Sequence, residues 1–279
     1  MLSTAPLTLD DIRSTLATKS FGRQLHVHQE LASTNSEALR LAQAGAAHGT
    51  VVVVEQQSAG RGRRARHWYS PPGANIYCSC VVRGIGPALT LSEWLSWVPL
   101  VSALAAAEAV HTTTSVPLSL KWPNDLLFQE RKVGGILCES THRSADTPIV
   151  VIGIGLNVNM TEESFPEDLR QTATSIYAIS HQPINRVRLL TQLLLELEHG
   201  LDELRARGPE RLRHAYVSRC GTLGKRVRLL LGDEQELLGT AESIRADGAL
   251  QVRPSTPASG AQRPPLLDIH AADVIHLRE

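Results

Sequence analysis

The 279-residue sequence has no charge of one sign to spare: 28 Lys+Arg face 28 Asp+Glu, and only four of the 28 basic residues are lysine. With no net field to draw the chain onto nucleic acid or an anionic membrane, any basic function has to be local. Long apolar runs are missing too, since VVVV at 51–54 and IVVIGIGL at 149–156 are strand-sized, well short of the roughly 18 residues of a membrane span. The opening MLSTAPLTLDDIRSTL carries acidic residues where a secretion signal needs a basic end and an apolar stretch, so the expectation is a cytoplasmic protein. Cys78, Cys80, Cys138 and Cys220 lack the paired spacing of a metal site, and Cys78 and Cys80 share one face of an alternating run, as reduced core thiols would. His26 and His28 share a strand face without a neighbouring carboxylate or thiol to complete a metal cage.

What is present is 42% apolar residues, enough for a sizeable core, in a pattern that mixes periods. QLHVHQEL reads as a strand feeding SEALRLAQAG, a helix for which Ser33, Thr34 and Asn35 offer capping side chains. TVVVVEQQ and NIYCSCVVR are strands on either side of a loop from Ser58 to Gly73, and LSEWLSWVPLVSALAAAEAV is a helix with Trp94, Trp97, Val101 and Leu104 on one face. LSLKW, LLF, KVGGILCES and IVVIGIGLNVN follow as strands, so the first 184 residues read as a mixed α/β domain. Two helical patterns from Arg186 to Arg219 break near Gly208 and Pro209. The remaining stretch is short strands between turns, suggesting a small β-barrel interrupted by the hairpin loop PSTPASGAQRPP.

Three segments carry chemistry. GRGRRARHW, residues 60–68, alternates Gly with Arg, so backbone can approach an anion while guanidiniums surround it. It has neither P-loop nor Rossmann spacing, and its bland alternative is a disordered Gly/Arg tract that binds RNA. Without an anion its four arginines repel one another, and the loop has little reason to settle. KWPNDLLF, 121–128, turns at Pro123 and Asn124 to present Asp125, and RKVGGILCE, 131–139, sets Lys132 beside Gly134 and Gly135; an ordinary hairpin reads the same way. GIGLNVN, 153–159, puts Gly153 and Gly155 on one strand face and ends the row with Asn157.

In the order STN, QSAGRGRRARHW, KWPNDLLF, RKVGGILCE and GIGLNVN, the sequence resembles the biotin protein ligases from about Gln29 to Asn159. The resemblance implies an α+β fold: an N-terminal helical segment over 1–25, a mixed-sheet catalytic domain of the biotin/lipoate ligase type over 26–220, and a small SH3-like β-barrel over 221–279. It implies biotin and MgATP as substrates, no tightly held prosthetic group and no metal held by a protein cage. Biotinyl-5'-AMP would form first, and a lysine of a biotin carboxyl carrier protein would then attack it. With about 25 residues before the first strand, the expectation is a short form without the DNA-binding winged helix of many relatives, and hence no DNA partner. A homodimer is left open.

Biotin has a neutral ureido ring at one end and a carboxylate at the other, so its site needs uncharged donors and acceptors, an apolar wall and then cations. Ser33, Thr34, Asn35 and Gln57 fit the first, Trp68 over Gly153 and Gly155 the second, and Arg61 and Arg63 the last, with Gly60, Gly135 and Lys132 alongside. Lys132 and Arg63 are the groups for charge that grows at phosphorus. By resemblance, Arg61 backs the carboxylate as the loop closes, Arg63, Arg64, Arg66, Asn124 and Lys132 meet ATP, and Asn157 reads adenine. Asp125 orients or deprotonates the carrier lysine, and Ile176 or Tyr177 stands where some relatives cover adenine. Two rivals remain: a lipoate or octanoyl carrier acyltransferase of the same fold, and a non-catalytic biotin-sensing repressor.

Overall fold

A computed structural model of the chain describes residues 5–87, 89–142, 148–231, 235–255 and 264–277. Helix α1 (Leu9–Thr15) precedes strand β1 (Leu25–Leu31), which crosses through α2 (Thr34–Gln43) to a parallel partner, β2 (Val51–Gln57). The remaining strands of this sheet, β3 (Ile76–Arg83), β4 (Ser119–Lys121), β5 (Asp125–Phe128), β6 (Arg131–His142) and β7 (Pro148–Leu156), pair antiparallel in the order β1-β2-β3-β7-β6-β5-β4. The sheet is therefore mixed, as the resemblance to the biotin protein ligases implied.

Both faces are covered, and the period of two sorts the side chains between them. Val52, Val81, Ile149 and Val151 meet Ala38 and Ala42 of α2 on one face. Val51, Val53, Cys78, Cys80 and Ile152 enter the main core with α3 (Leu91–Thr114) and α5 (Arg186–Arg207) on the other. Cys78 and Cys80 are free, buried thiols. In α3, Trp94, Trp97 and Val101 are buried and Leu104 is partly so, and a capping box between Thr90 and Glu93 fixes its start. Short α4 (Ile176–Ser180) precedes α5, which ends at Gly208 with φ of 73°, a left-handed value glycine adopts freely. Pro209 then starts α6 (Glu210–Arg219).

The chain before β1 is fastened by two carboxylates. Glu198 accepts from the backbone N–H of Lys19, Ser20 and Phe21. Glu55 accepts from Leu7 N–H and pairs with Arg186 at 2.8 Å, with both side chains almost wholly buried.

Beyond α6, strands β8 (Arg226–Leu230), β9 (Glu236–Ile244), β10 (Leu250–Pro254), β11 (Leu267–Ile269) and β12 (Asp273–His276) form an antiparallel sheet in the order β11-β10-β9-β8-β12. Two indoles dock it on the rest of the chain: Trp97 Nε1 donates to the Ala246 carbonyl and Trp122 Nε1 to that of Gly248. Most of PSTPASGAQRPP, residues 256–263, lies outside the described residues. No helix among the described residues is long and apolar enough to cross a membrane.

Candidate active site

On the face of the sheet that α2 only half covers, four residues stand in one row across four strands. Gly155 of β7 is opposite Gly135 of β6, Gly135 opposite Asp125 of β5, and Asp125 opposite Lys121 of β4. Cross-strand partners project to the same face, so the row runs from bare backbone at the sheet centre to charge at its edge. A Cβ on Gly155 would lie 2.7 Å from the Trp68 ring, and one on Gly135 3.1 Å from Lys132 Cε. The glycines thus let an indole and an ammonium lie flat against the strands. Lys132 reaches this face through a β-bulge: Leu126 pairs with Gly134 but Leu127 with Lys132, leaving Val133 as the extra residue. Without it, residues 132 and 135 would point to opposite faces. Lys132 Nζ sits 2.6 Å from Asp125 Oδ1 and 5.4 Å from the centroid of Trp68.

The floor belongs to a cavity of about 500 Å³, within the range of small-molecule sites. Its end toward β2 and β3 is polar and uncharged. Thr34 donates from N–H and hydroxyl to Gln57 Oε1 at 2.9 and 3.3 Å, Gln57 Nε2 donates to Ser70 Oγ at 3.0 Å, and Ser79 Oγ lies 2.8 Å from Thr34 Oγ1 and 2.6 Å from Asn35 Oδ1. Ser33 is the N-cap residue of α2, with no side-chain capping bond, and lines the cavity. A Cβ on Gly153 would meet Asn35 Oδ1 at 2.1 Å, so this glycine makes room for the asparagine while Gly155 alone takes the indole.

The arginine loop folds as a tight hairpin, with Arg61 bridged to His67 and Trp68 N–H bonded to the Gly60 carbonyl. Three of its four guanidiniums gather around one carboxylate and the fourth turns away. Arg63 Nη1 donates to Asn124 Oδ1 at 3.0 Å, joining the loop to the KWPND turn, and Nη2 donates to the Ala272 carbonyl. Burial pushes the Arg63 pKa below its ordinary value, although Asp273 and Asp125 oppose that shift. Arg66 bonds Asp273, whose carboxylate also lies 3.8 Å from Arg63 and 3.7 Å from Arg64. Arg61 turns the other way, to Ser36 Oγ and Glu139 Oε2. The anion that the loop's sequence demands is thus supplied from within the chain, by the C-terminal sheet.

Among the described residues no group of three or more His, Cys, Asp or Glu side chains is placed to hold a metal ion. The cavity therefore offers uncharged hydrogen bonding at one end, an indole wall in the middle and clustered cations at the other. That arrangement suits a molecule with a polar neutral head and an anionic tail that has to meet a second anion.

The model of the Biotin/lipoate A/B protein ligase family matches residues 28–157. A biotin acetyl-CoA-carboxylase ligase of Mycobacterium tuberculosis is 35% identical over 98% of this chain and 97% of its own. The chain belongs to the biotin protein ligase family. The bifunctional ligase/repressor BirA of Bacillus subtilis is 33% identical over 88% of this ligase and 74% of its own length. Among solved structures, a biotin protein ligase from Aquifex aeolicus in complex with biotin and ATP superposes with a TM-score of 0.73 at 28% identity, covering 92% of this chain and all of that one.

Of the residues singled out in the ligase sequence, Ser33, Thr34, Asn35, Gln57, Arg61, Arg63, Arg66, Trp68, Asn124, Asp125, Lys132, Gly135, Gly153, Gly155 and Asn157 line the cavity. Gly60 and Arg64 do not. A Cβ at Gly60 would lie 2.5 Å from the Trp68 carbonyl, so Gly60 closes the hairpin base. Arg64, with φ of 53°, is turned out to the Leu230 carbonyl. Asn157 donates its amide to the Thr174 and Lys132 carbonyls at 3.1 and 3.4 Å. Ile176 is buried in the core, and neither it nor Tyr177 lines the cavity; Phe165 and Leu169 do. Sequence reasoning missed Ser79, hidden between two core cysteines, and Glu139, which ties Asn35 to Arg61. It also missed Lys121, although that residue opens the conspicuous KWPNDLLF segment, and Asp273, which lies outside the conspicuous segments.

Proposed function

We propose that the cavity condenses biotin with MgATP to biotinyl-5'-AMP and pyrophosphate, then delivers the biotinyl group to a lysine of a biotin carboxyl carrier protein. The observation that carries this reading is the gradient along the sheet, from the uncharged cluster of Gln57, Thr34, Asn35 and Ser79 past Trp68 to Lys132, Arg63 and Arg66. The ureido ring takes the uncharged end, and the valeryl chain runs along the cavity side of the Trp68 indole, which itself rests on the Gly155 backbone. The carboxylate oxygen then attacks the α-phosphorus, and the bond to the bridging oxygen breaks with its electron pair leaving on pyrophosphate. No proton moves in that step, so fixed positive charge is what it needs, and Lys132 and Arg63 supply it. Magnesium enters with ATP as part of the substrate.

In the transfer step the carrier's ammonium loses a proton to solvent and its nitrogen attacks the carbonyl carbon of the anhydride. The bond from that carbon to the phosphate oxygen breaks with its electron pair leaving on AMP, and the second proton of the nitrogen passes to solvent. We assign Asp125 to orient that amine, because its carboxylate faces the cavity beside Lys132. Arg61 backs the carboxylate only after exchanging Glu139 for it, whereas Arg63 already points into the site. The β12-β8-β9-β10-β11 order, with the last strand returned beside the first, is what an SH3-like barrel would show, and we read the C-terminal unit as one. We divide the chain at about 25 and 220, and place the enzyme in the cytoplasm, where ATP and carrier proteins meet.

A lipoate or octanoyl carrier acyltransferase uses the same fold, but its dithiolane or alkyl substrate has no use for the hydrogen-bonding cluster at the uncharged end. Pyrophosphate release measured with biotin, lipoate and octanoate separates the readings. Biotin alone should drive it, and release driven by lipoate or octanoate would replace this reading with the other.

A further inference from the structure

Lys121 ends the row that runs Gly155, Gly135, Asp125, Lys121 across the sheet. At roughly 4.8 Å per strand it stands about 14 Å from Gly155. Its side chain lines the cavity and is half-buried. Among the described residues no hydrogen bond or ion pair holds its ammonium, and the acids around it are engaged elsewhere. Asp125 is paired with Lys132, Glu130 with Lys225 and His276, and Asp273 with the loop arginines. Burial pulls the Lys121 pKa below its ordinary value; Asp125 and Glu130 oppose this shift, while Lys132 and Arg66 add to it. A half-buried cation without its own counter-ion, in a wall that already holds Lys132, Arg63 and Arg66, calls for an anionic ligand with more charge than one carboxylate.

The direction of the row says which part of the substrate that is. The uncharged end of the cavity lies over β2 and β3, the indole and glycines over β7, and Lys132 over β6. A biotin laid along this path brings its carboxylate to Lys132, and whatever departs from the α-phosphorus in line with the attack continues toward β5 and β4. We propose that Lys121 is a further catalytic residue of adenylate formation, whose ammonium takes the β- and γ-phosphates of ATP and holds the pyrophosphate as it leaves. The proposal rests on the biotin ligase reading. The negative charge that builds on the bridging oxygen as its bond to the α-phosphorus breaks is met there by a fixed ammonium, which has no role once pyrophosphate is gone.

The two half-reactions therefore separate the effect. In Lys121→Met, single-turnover formation of biotinyl-AMP should lose on the order of 10- to 100-fold in kcat/KM for ATP, less than the roughly 10²–10³-fold of a donor at the reacting centre because Lys121 meets the leaving group. Inhibition by added pyrophosphate should weaken by a similar factor, transfer from pre-formed biotinyl-AMP to the carrier should stay within about twofold, and Lys121→Arg should recover most of the loss. Should Lys121→Met misfold, the unaltered protein still decides the matter: acetylation of Lys121, mapped by mass spectrometry, should be suppressed by magnesium pyrophosphate. Unchanged ATP and pyrophosphate dependence, a loss shared equally by the transfer step, or no protection from acetylation would overturn the assignment. If the unaltered protein makes biotinyl-AMP while these results go against Lys121, only this assignment falls; if it makes none, the reading beneath it falls too.

Discussion

Lys132 Nζ and Asp125 Oδ1 meet at 2.6 Å across a β-bulge, and the pair closes the gap between the indole of Trp68 and the turn that Asn124 shares with Arg63. The bulge turns an ammonium from the β6 strand onto the site face, and Asp125 keeps it there until an anionic substrate competes.

Replacing Lys132 with methionine keeps the packing length and removes the charge. Biotinyl-AMP formation should slow by about 10²–10³-fold, the cost of removing one fixed donor from a charged transition state. Biotin affinity, measured by calorimetry without ATP, should fall less than about tenfold, because most of the biotin contact lies elsewhere. A single-turnover rate equal to the parent's would remove Lys132 from the chemistry.

Gly153 has no room for a side chain. In Gly153→Ala the new methyl would have to share space with Asn35 Oδ1, which it would approach to 2.1 Å, and the bond from Ser79 to Asn35 would break. Misplacing that buried polar group should cost about 2 kcal/mol, or some 30-fold in biotin affinity. Thermal melting run beside the calorimetry checks that the sheet persists. Unaltered biotin binding would show that the Asn35 cluster does not hold the ureido ring.

Asp273 is shared by three arginines, and Asp273→Asn removes the charge while keeping the shape. The loop should then open more often by about 1 kcal/mol, discounted for exposure of the guanidiniums, which is roughly a fivefold rise in tryptic cleavage between Arg61 and Arg66. Biotinyl-AMP, which brings its own phosphate, should erase the difference. Equal cleavage of parent and variant would show that the C-terminal carboxylate does not hold the loop.

Much of this was legible in the sequence, and the reasons differ by element. The unbroken apolar run in VVVVEQQ gave a strand because a sheet buried on both faces needs apolar residues on each, the alternation in NIYCSCVVR gave its neighbour, and Gly208-Pro209 marked the break between α5 and α6 through backbone chemistry alone. The conspicuous segments carried most of the cavity lining. What stayed hidden depends on contacts between distant residues. No period reports the bulge at Val133, Ser79 is masked by the core cysteines beside it, and Asp273 gains its role only when the second sheet docks on the arginine loop. Ile176 stood at the right place in sequence to cover a nucleotide, but the sheet-to-helix turn there buries it.

The carboxylate of Glu198 should show itself in the pH dependence of stability. Burial works against its ionisation, but the N–H groups of Lys19, Ser20 and Phe21 and the Ser20 hydroxyl outweigh that and hold its pKa at about 2, below its ordinary 4.5. A lowered folded-state pKa gives stability that is full above the unfolded value and is lost as pH falls from about 4.5 toward 2. Glu198→Gln should therefore be less stable than the parent by about 2 kcal/mol near neutrality, and the two should converge in acid. Urea titrations at pH 7 and pH 3 measure the gap, and a gap that does not narrow would contradict the assignment.

That this cavity activates biotin and hands it to a protein lysine is tested most directly by incubating the protein with biotin, MgATP and a biotin carboxyl carrier domain, and weighing the intact carrier by mass spectrometry. The carrier should gain the mass of one biotinyl group, only when both biotin and ATP are present, and a carrier whose acceptor lysine is replaced by arginine should gain nothing. A carrier of unchanged mass after prolonged incubation, or one that gains a lipoyl or octanoyl group from a mixture of acids instead, would contradict it.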